Sequence, residues 1–70
     1  MGDSIYRVTE VIGTSTSSWE DAAKNAVETA AHTLRDLRVG EVVKLDMTIE
    51  DGHVAHYRAR VNISFKYETE

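Results

Sequence analysis

Apolar and polar residues alternate with a period of two in three stretches of the chain and recur every three or four residues in one. The first alternating stretch, "SIYRVTEVIG", predicts a strand over about Ile5 to Ile12, with Tyr6, Val8 and Ile12 on one face and Ile5 and Val11 on the other. The polar run "GTSTSS" interrupts it. Ser17 followed by Glu20 forms a capping box for a helix start, and Ser18 with Asp21 offers the same pattern one residue later. From there Trp19, Ala23, Val27, Ala30, Leu34 and Leu37 recur at helical spacing, which predicts one helix reaching about Leu37. Its many alanines favour helix and allow close approach to a sheet.

The stretch "EVVKLDMTIE" alternates again, and predicts Glu41, Val43, Leu45, Met47 and Ile49 on one face with Val42, Lys44, Asp46, Thr48 and Glu50 on the other. Asp51-Gly52 is a strong hairpin signal, because such tight turns require positive φ. "VAHYRARVNISFKY" follows, with Tyr57, Ala59, Val61, Ile63, Phe65 and Tyr67 facing one way and His56, Arg58, Arg60, Asn62, Ser64 and Lys66 the other. The predicted class is α+β with element order β-α-β-β. One helix lies on a three-stranded antiparallel sheet, and a right-handed crossover gives the strand order 1-3-2. The chain, residues 1–70, is expected to form a single domain.

Composition sharpens this picture at one point. A chain of 70 residues buries too little surface for an ample core, and such domains add disulfides, metals or partner subunits. There is no cysteine, and the three histidines match no zinc-ligand spacing, so self-association is the expected stabiliser. A long third strand in so small a sheet leaves edges and a half-polar face for a partner to cover. The net charge of −4 argues against nucleic acid or an anionic membrane as partner. No apolar run approaches the roughly 20 residues that span a bilayer. "MGDSIYRV" has neither a signal peptide nor, with Tyr6 where Ser or Thr is required, a myristoylation motif, so a cytoplasmic location is expected.

Three pieces of the chain carry a resemblance: the opening "Y-x-V-x-E-V-I-G-T-S", the helix end "A-x-x-T-L-R-D-L" and the hairpin "I-E-D-G-x-V-A-H-Y". Together they resemble dodecins over nearly the whole length. The resemblance implies the β-α-β-β fold reached above and a hollow homododecamer with tetrahedral symmetry. It also implies a non-enzymatic role in storing or sequestering flavin (FMN or riboflavin), bound in stacked pairs between subunits. Against the flavin-binding pattern "L-D-W-F-E-V" this chain reads "L-R-V-G-E-V", so Val39 stands where the ring-stacking tryptophan would be. Arg58 stands where a glutamine would hydrogen-bond the flavin, and Asp46 occupies a position that is basic in the family. Tyr57 or Arg58 is the group that could take over the stacking role. By resemblance, then, Val39, Arg58, Asp46 and Tyr57 are the flavin-site positions, and flavin binding is expected to be weak or lost. Valine offers no flat ring face, and a guanidinium cannot accept a hydrogen bond as an amide does.

The remaining candidates are weighed on their own chemistry. Asp46, repeated near symmetry axes, is the candidate metal ligand for calcium or magnesium, which take converging oxygens. Arg58, Arg60 and Lys66 form a basic stripe with Arg7 nearby. It reads either as an anion-binding surface or, preferably, as cross-strand and inter-subunit pairs with Lys44, Asp46, Glu10 or Glu41. Trp19 reads as a packing residue, and His53 and His56 as wet hairpin positions. No nucleophile-base or paired-carboxylate arrangement has motif support, so the chain is not expected to be an enzyme.

Overall fold

A computed structural model describes residues 5–66, so Gly2 and Tyr67 lie outside the described residues. The elements are β1 (Tyr6–Ser15), α1 (Trp19–Ala30), β2 (Leu37–Glu50) and β3 (His53–Lys66). They form a three-stranded antiparallel sheet in the order β1-β3-β2 with one helix, as the sequence pattern predicts.

The helix begins at the second of the two capping registers. Ser18 is the N-cap, in extended conformation, and its hydroxyl accepts a hydrogen bond from the Asp21 amide at 3.0 Å. Ser15 Oγ donates to the Asp21 carboxylate at 2.8 Å and accepts from the Ser17 amide at 2.9 Å, closing the turn from β1. The helix stops at Ala30, a full seven residues short of Leu37. The amides of His32 and Thr33 bond to carbonyls three residues back, at 3.1 Å each, which tightens the last turn. Asp36 then takes φ of 57°, a left-handed conformation no helix interior tolerates, and β2 starts at Leu37.

The alternation along β3 holds from His56 to Lys66, whereas that along β2 breaks near Val42. Cross-strand partners share a face of the sheet. Val42 pairs with Val61, Leu45 with Ala59 and Met47 with Tyr57, all on the helix side, while Glu41, Lys44 and Asp46 pair with Asn62, Arg60 and Arg58 on the opposite, open face. An irregularity between Val42 and Lys44 resets the alternation by one residue, so Val42 and Glu41 lie on the reverse of their expected faces.

The core is small. Ala22 and Ala26 of the helix pack on Ala59, Val61 and Ile63 of β3, with Val11, Ala23, Val27, Ala30 and Leu37 around them. The deepest helical positions are thus one residue away from the Trp19–Ala23 stripe. Gly13 explains the shift: a Cβ there would lie 2.8 Å from the Ala26 Cβ and would also run into the Ala22 carbonyl, so only glycine lets the helix settle this close to β1. The helix sits over β1 and β3, and β2 contributes no fully buried residue.

Candidate functional site

The uncovered face of the sheet carries most of the residues that the sequence singles out. Reading across β1, β3 and β2, its rows are Val8-Ser64-Val39, Glu10-Asn62-Glu41, Ile12-Arg60-Lys44 and Thr14-Arg58-Asp46. Val8 is 62% exposed, Val39 60%, Tyr6 51% and Ile12 46%, so this face presents apolar side chains to water in the single chain. The described part of the chain is also extended, with a Cα radius of gyration of 14.5 Å against the roughly 11 Å of a compact domain this size.

Arg58 and Asp46 face each other directly across β3 and β2. The Arg58 Nε donates to Asp46 Oδ1 at 2.7 Å and its Nη2 to Oδ2 at 2.9 Å, a bidentate fork. This hydrogen-bonded pairing, and then the charges of Arg58, Arg60 and Lys44, hold the Asp46 carboxyl below the usual carboxylate range against a smaller opposing desolvation. The same hydrogen bond raises the Arg58 pKa. One row away, Arg60 approaches Glu10 at 3.9 Å. The basic stripe is therefore largely cross-strand pairing, and Arg7 is not in it: Arg7 is opposite Phe65, on the helix side.

Asp46 is gripped from the other side as well. The Trp19 indole N–H donates to the Asp46 carbonyl at 2.9 Å. The ring meets Tyr57 edge-on, centroids 5.1 Å apart and planes at 71°. Trp19 is half-buried and borders a groove of about 460 Å³ with Ala23, Val42 and Leu45 on the helix side of β2. A second groove, of about 630 Å³, runs between β1 and the helix past Asn25, Thr29 and His32. Its polar contact is structural: the Asn25 amide donates to the Thr14 carbonyl at 3.1 Å.

Of the four positions marked by resemblance, Val39, Arg58 and Asp46 share the open face, whereas Tyr57 lies on the helix side against Trp19. Val39 and Asp46 are seven residues apart on one strand, roughly 20 Å. One flat ring cannot touch both within a single chain. Within one chain the setting of Asp46 does not suit a cation: both its oxygens accept from Arg58, and Lys44 and Arg60 stand near. No group of three His, Asp or Glu among the described residues could hold a metal, so His53 and His56 at the hairpin form no such site. The anchoring of Asp46 by Trp19 escaped the sequence reading. Its only trace there is a lone tryptophan at the first helical position, which says nothing about a main-chain acceptor on a distant strand.

The β-α-β-β order and the β1-β3-β2 sheet with one face bare are the features to set beside known proteins. The chain belongs to the dodecin family: the family's sequence model, described as dodecin, matches residues 5–68. The chain is 41% identical over 63 residues to the calcium dodecin of Mycobacterium tuberculosis, spanning 90% of this chain and 89% of that protein. Its fold matches dodecin from Streptomyces coelicolor with a TM-score of 0.92 at 43% identity over the full length of both chains. It also matches the crystal structure of the M. tuberculosis calcium-chelating immunodominant antigen, calcium dodecin, described as having a novel calcium-binding site, with a TM-score of 0.81 at 39% identity over 94% of each chain. No helix among the described residues is long and apolar enough to cross a membrane.

Proposed function

We propose that this chain, folding as one domain, is the subunit of a hollow homododecameric dodecin shell that binds, stores or sequesters a small ligand without catalysing a reaction. Its expected place is the cytoplasm, with other copies of itself as partners and neither nucleic acid nor membrane. The observation that carries the reading is the open face, where Tyr6, Val8, Ile12 and Val39 stand exposed on a chain with only five buried apolar residues among those described. Leaving such a surface in water forgoes the roughly 25 cal/mol per Å² that burial contributes, and a second copy recovers it.

Flavin is the ligand the family suggests, and the residues present fit it poorly. Val39 supplies no stacking plane, and the Arg58 fork is already filled by Asp46. Losing one ring contact of about 1–3 kcal/mol lowers affinity roughly tenfold to a hundredfold. Titration of riboflavin and FMN, followed by flavin fluorescence, is expected to show weak or no quenching. Strong quenching at nanomolar protein would overturn this part of the reading.

A divalent cation is the second reading, favoured by the likeness to a protein named calcium dodecin. Since no single-chain cluster among the described residues fits, its oxygens would come from several subunits, backbone carbonyls included. Calorimetric titration with calcium and then magnesium tests it. Saturable binding that vanishes when the shell is dissociated supports it, and no heat from the intact shell rejects it.

A further inference from the structure

Asp46 occupies the seat of an anion. Arg58 presents a planar fork whose two N–H groups are taken by the two oxygens of one carboxylate, the geometry with which arginine recognises free carboxylates and phosphates. The surroundings are those of an anion site as well. Lys44 and Arg60 lie in the next row of the same face, and among the described residues Arg60 has a second acidic neighbour, Glu10 at 3.9 Å. Thr14 is on the far side of Arg58 in the same row. Two residues along β2 from Asp46, Thr48 Oγ1 is buried without a hydrogen-bond partner. His56 is opposite Thr48 on β3. Within a chain whose formal net charge is −4, this patch is locally basic once Asp46 is set aside.

The main chain of the resident aspartate is also anchored. An incoming anion would have to push the Asp46 side chain off Arg58 while its main chain stays tied to the Trp19 indole N–H at 2.9 Å, so the aspartate cannot leave with its strand. We infer that Asp46 is a specificity-determining residue that closes an Arg58-Lys44-Arg60 anion site on the open face from within, so that the face rejects phosphate and carboxylate ligands that it would otherwise bind. Trp19 is the positioning residue that keeps Asp46 in place. The inference rests on the reading of the open face as the ligand surface and adds which ligand chemistry that surface refuses.

The test uses the assembled protein and pyrophosphate as the probe. Wild type is expected to show no saturable binding up to millimolar concentration in calorimetry. Asp46→Asn, which keeps the side-chain shape and the carbonyl that Trp19 holds, is expected to bind at least about tenfold more tightly than wild type, with a change in Trp19 emission on binding. Asp46→Ala serves as a second opening variant, and Asp46→Asn with Arg58→Met should abolish the gain. Equal binding by wild type and both opened variants, or a gain that survives loss of Arg58, would overturn the inference. The shell reading is judged separately, by whether wild type assembles at all: an assembled wild type with no gain in either variant leaves that reading standing and removes this one.

Discussion

Gly13 and Asp46 are the two residues on which the subunit depends most sharply, one through the space it leaves and the other through the contacts it makes. Gly13→Ala would drive a methyl group into the backbone of the second helical turn, where Ala26 N lies 2.9 Å from the new Cβ. Overpacking of this kind costs about 1–3 kcal/mol. For a domain this size that lowers the melting temperature by about 4–8 °C per kcal/mol, which a thermal unfolding scan reads directly. Asp46 gives a pH signature. Its carboxyl pKa is depressed in the folded state, first by the Arg58 hydrogen bond. The pair therefore contributes stability above the ordinary carboxylate pKa, near 4, and loses it as pH falls through the depressed folded value. Wild type should lose stability on acidification across that window. Asp46→Asn should show a shallower loss there in denaturant midpoints, and parallel curves for the two would remove the pair from the acid response.

The helix shows what could be read from the chain and what could not. Its start was legible as two overlapping caps, and the structure selects Ser18 over Ser17. Ser18→Ala should cost about 1 kcal/mol, while Ser17→Ala should stay within about 0.5 kcal/mol, since only the Ser18 hydroxyl accepts a helix amide. Comparable losses from both would put the cap elsewhere. The helix end was not legible. Leu34 and Leu37 continue the apolar spacing, but the left-handed turn at Asp36 that breaks the helix leaves no periodic mark. The alternation of β3 was read correctly because it is regular and central. That of β2 was misread at Glu41 and Val42, because an extra residue on an edge strand flips the faces without altering composition. The marking of Val39, Arg58, Asp46 and Tyr57 rests on a family resemblance alone, while the division of Tyr57 from the other three follows from strand parity. The grip of Trp19 on Asp46 is a long-range contact that no local pattern encodes.

At the scale of the whole molecule, the bare face, the extended shape and the small core have one common explanation: a single chain is only part of the folded object. The face that carries the Arg58-Asp46 fork is the same face that leaves Val8 and Val39 in water. Covering it with other copies would at once stabilise the subunit and bring Val39 of one chain toward marked residues of another, which one chain alone cannot do. Stability should accordingly depend on protein concentration, as it does whenever association and folding are coupled. The most direct measurement is the mass of the native particle by size-exclusion chromatography with light scattering at micromolar concentration. Twelve copies of a 7.8 kDa chain predict about 94 kDa, and a monodisperse monomer or simple dimer would contradict the account.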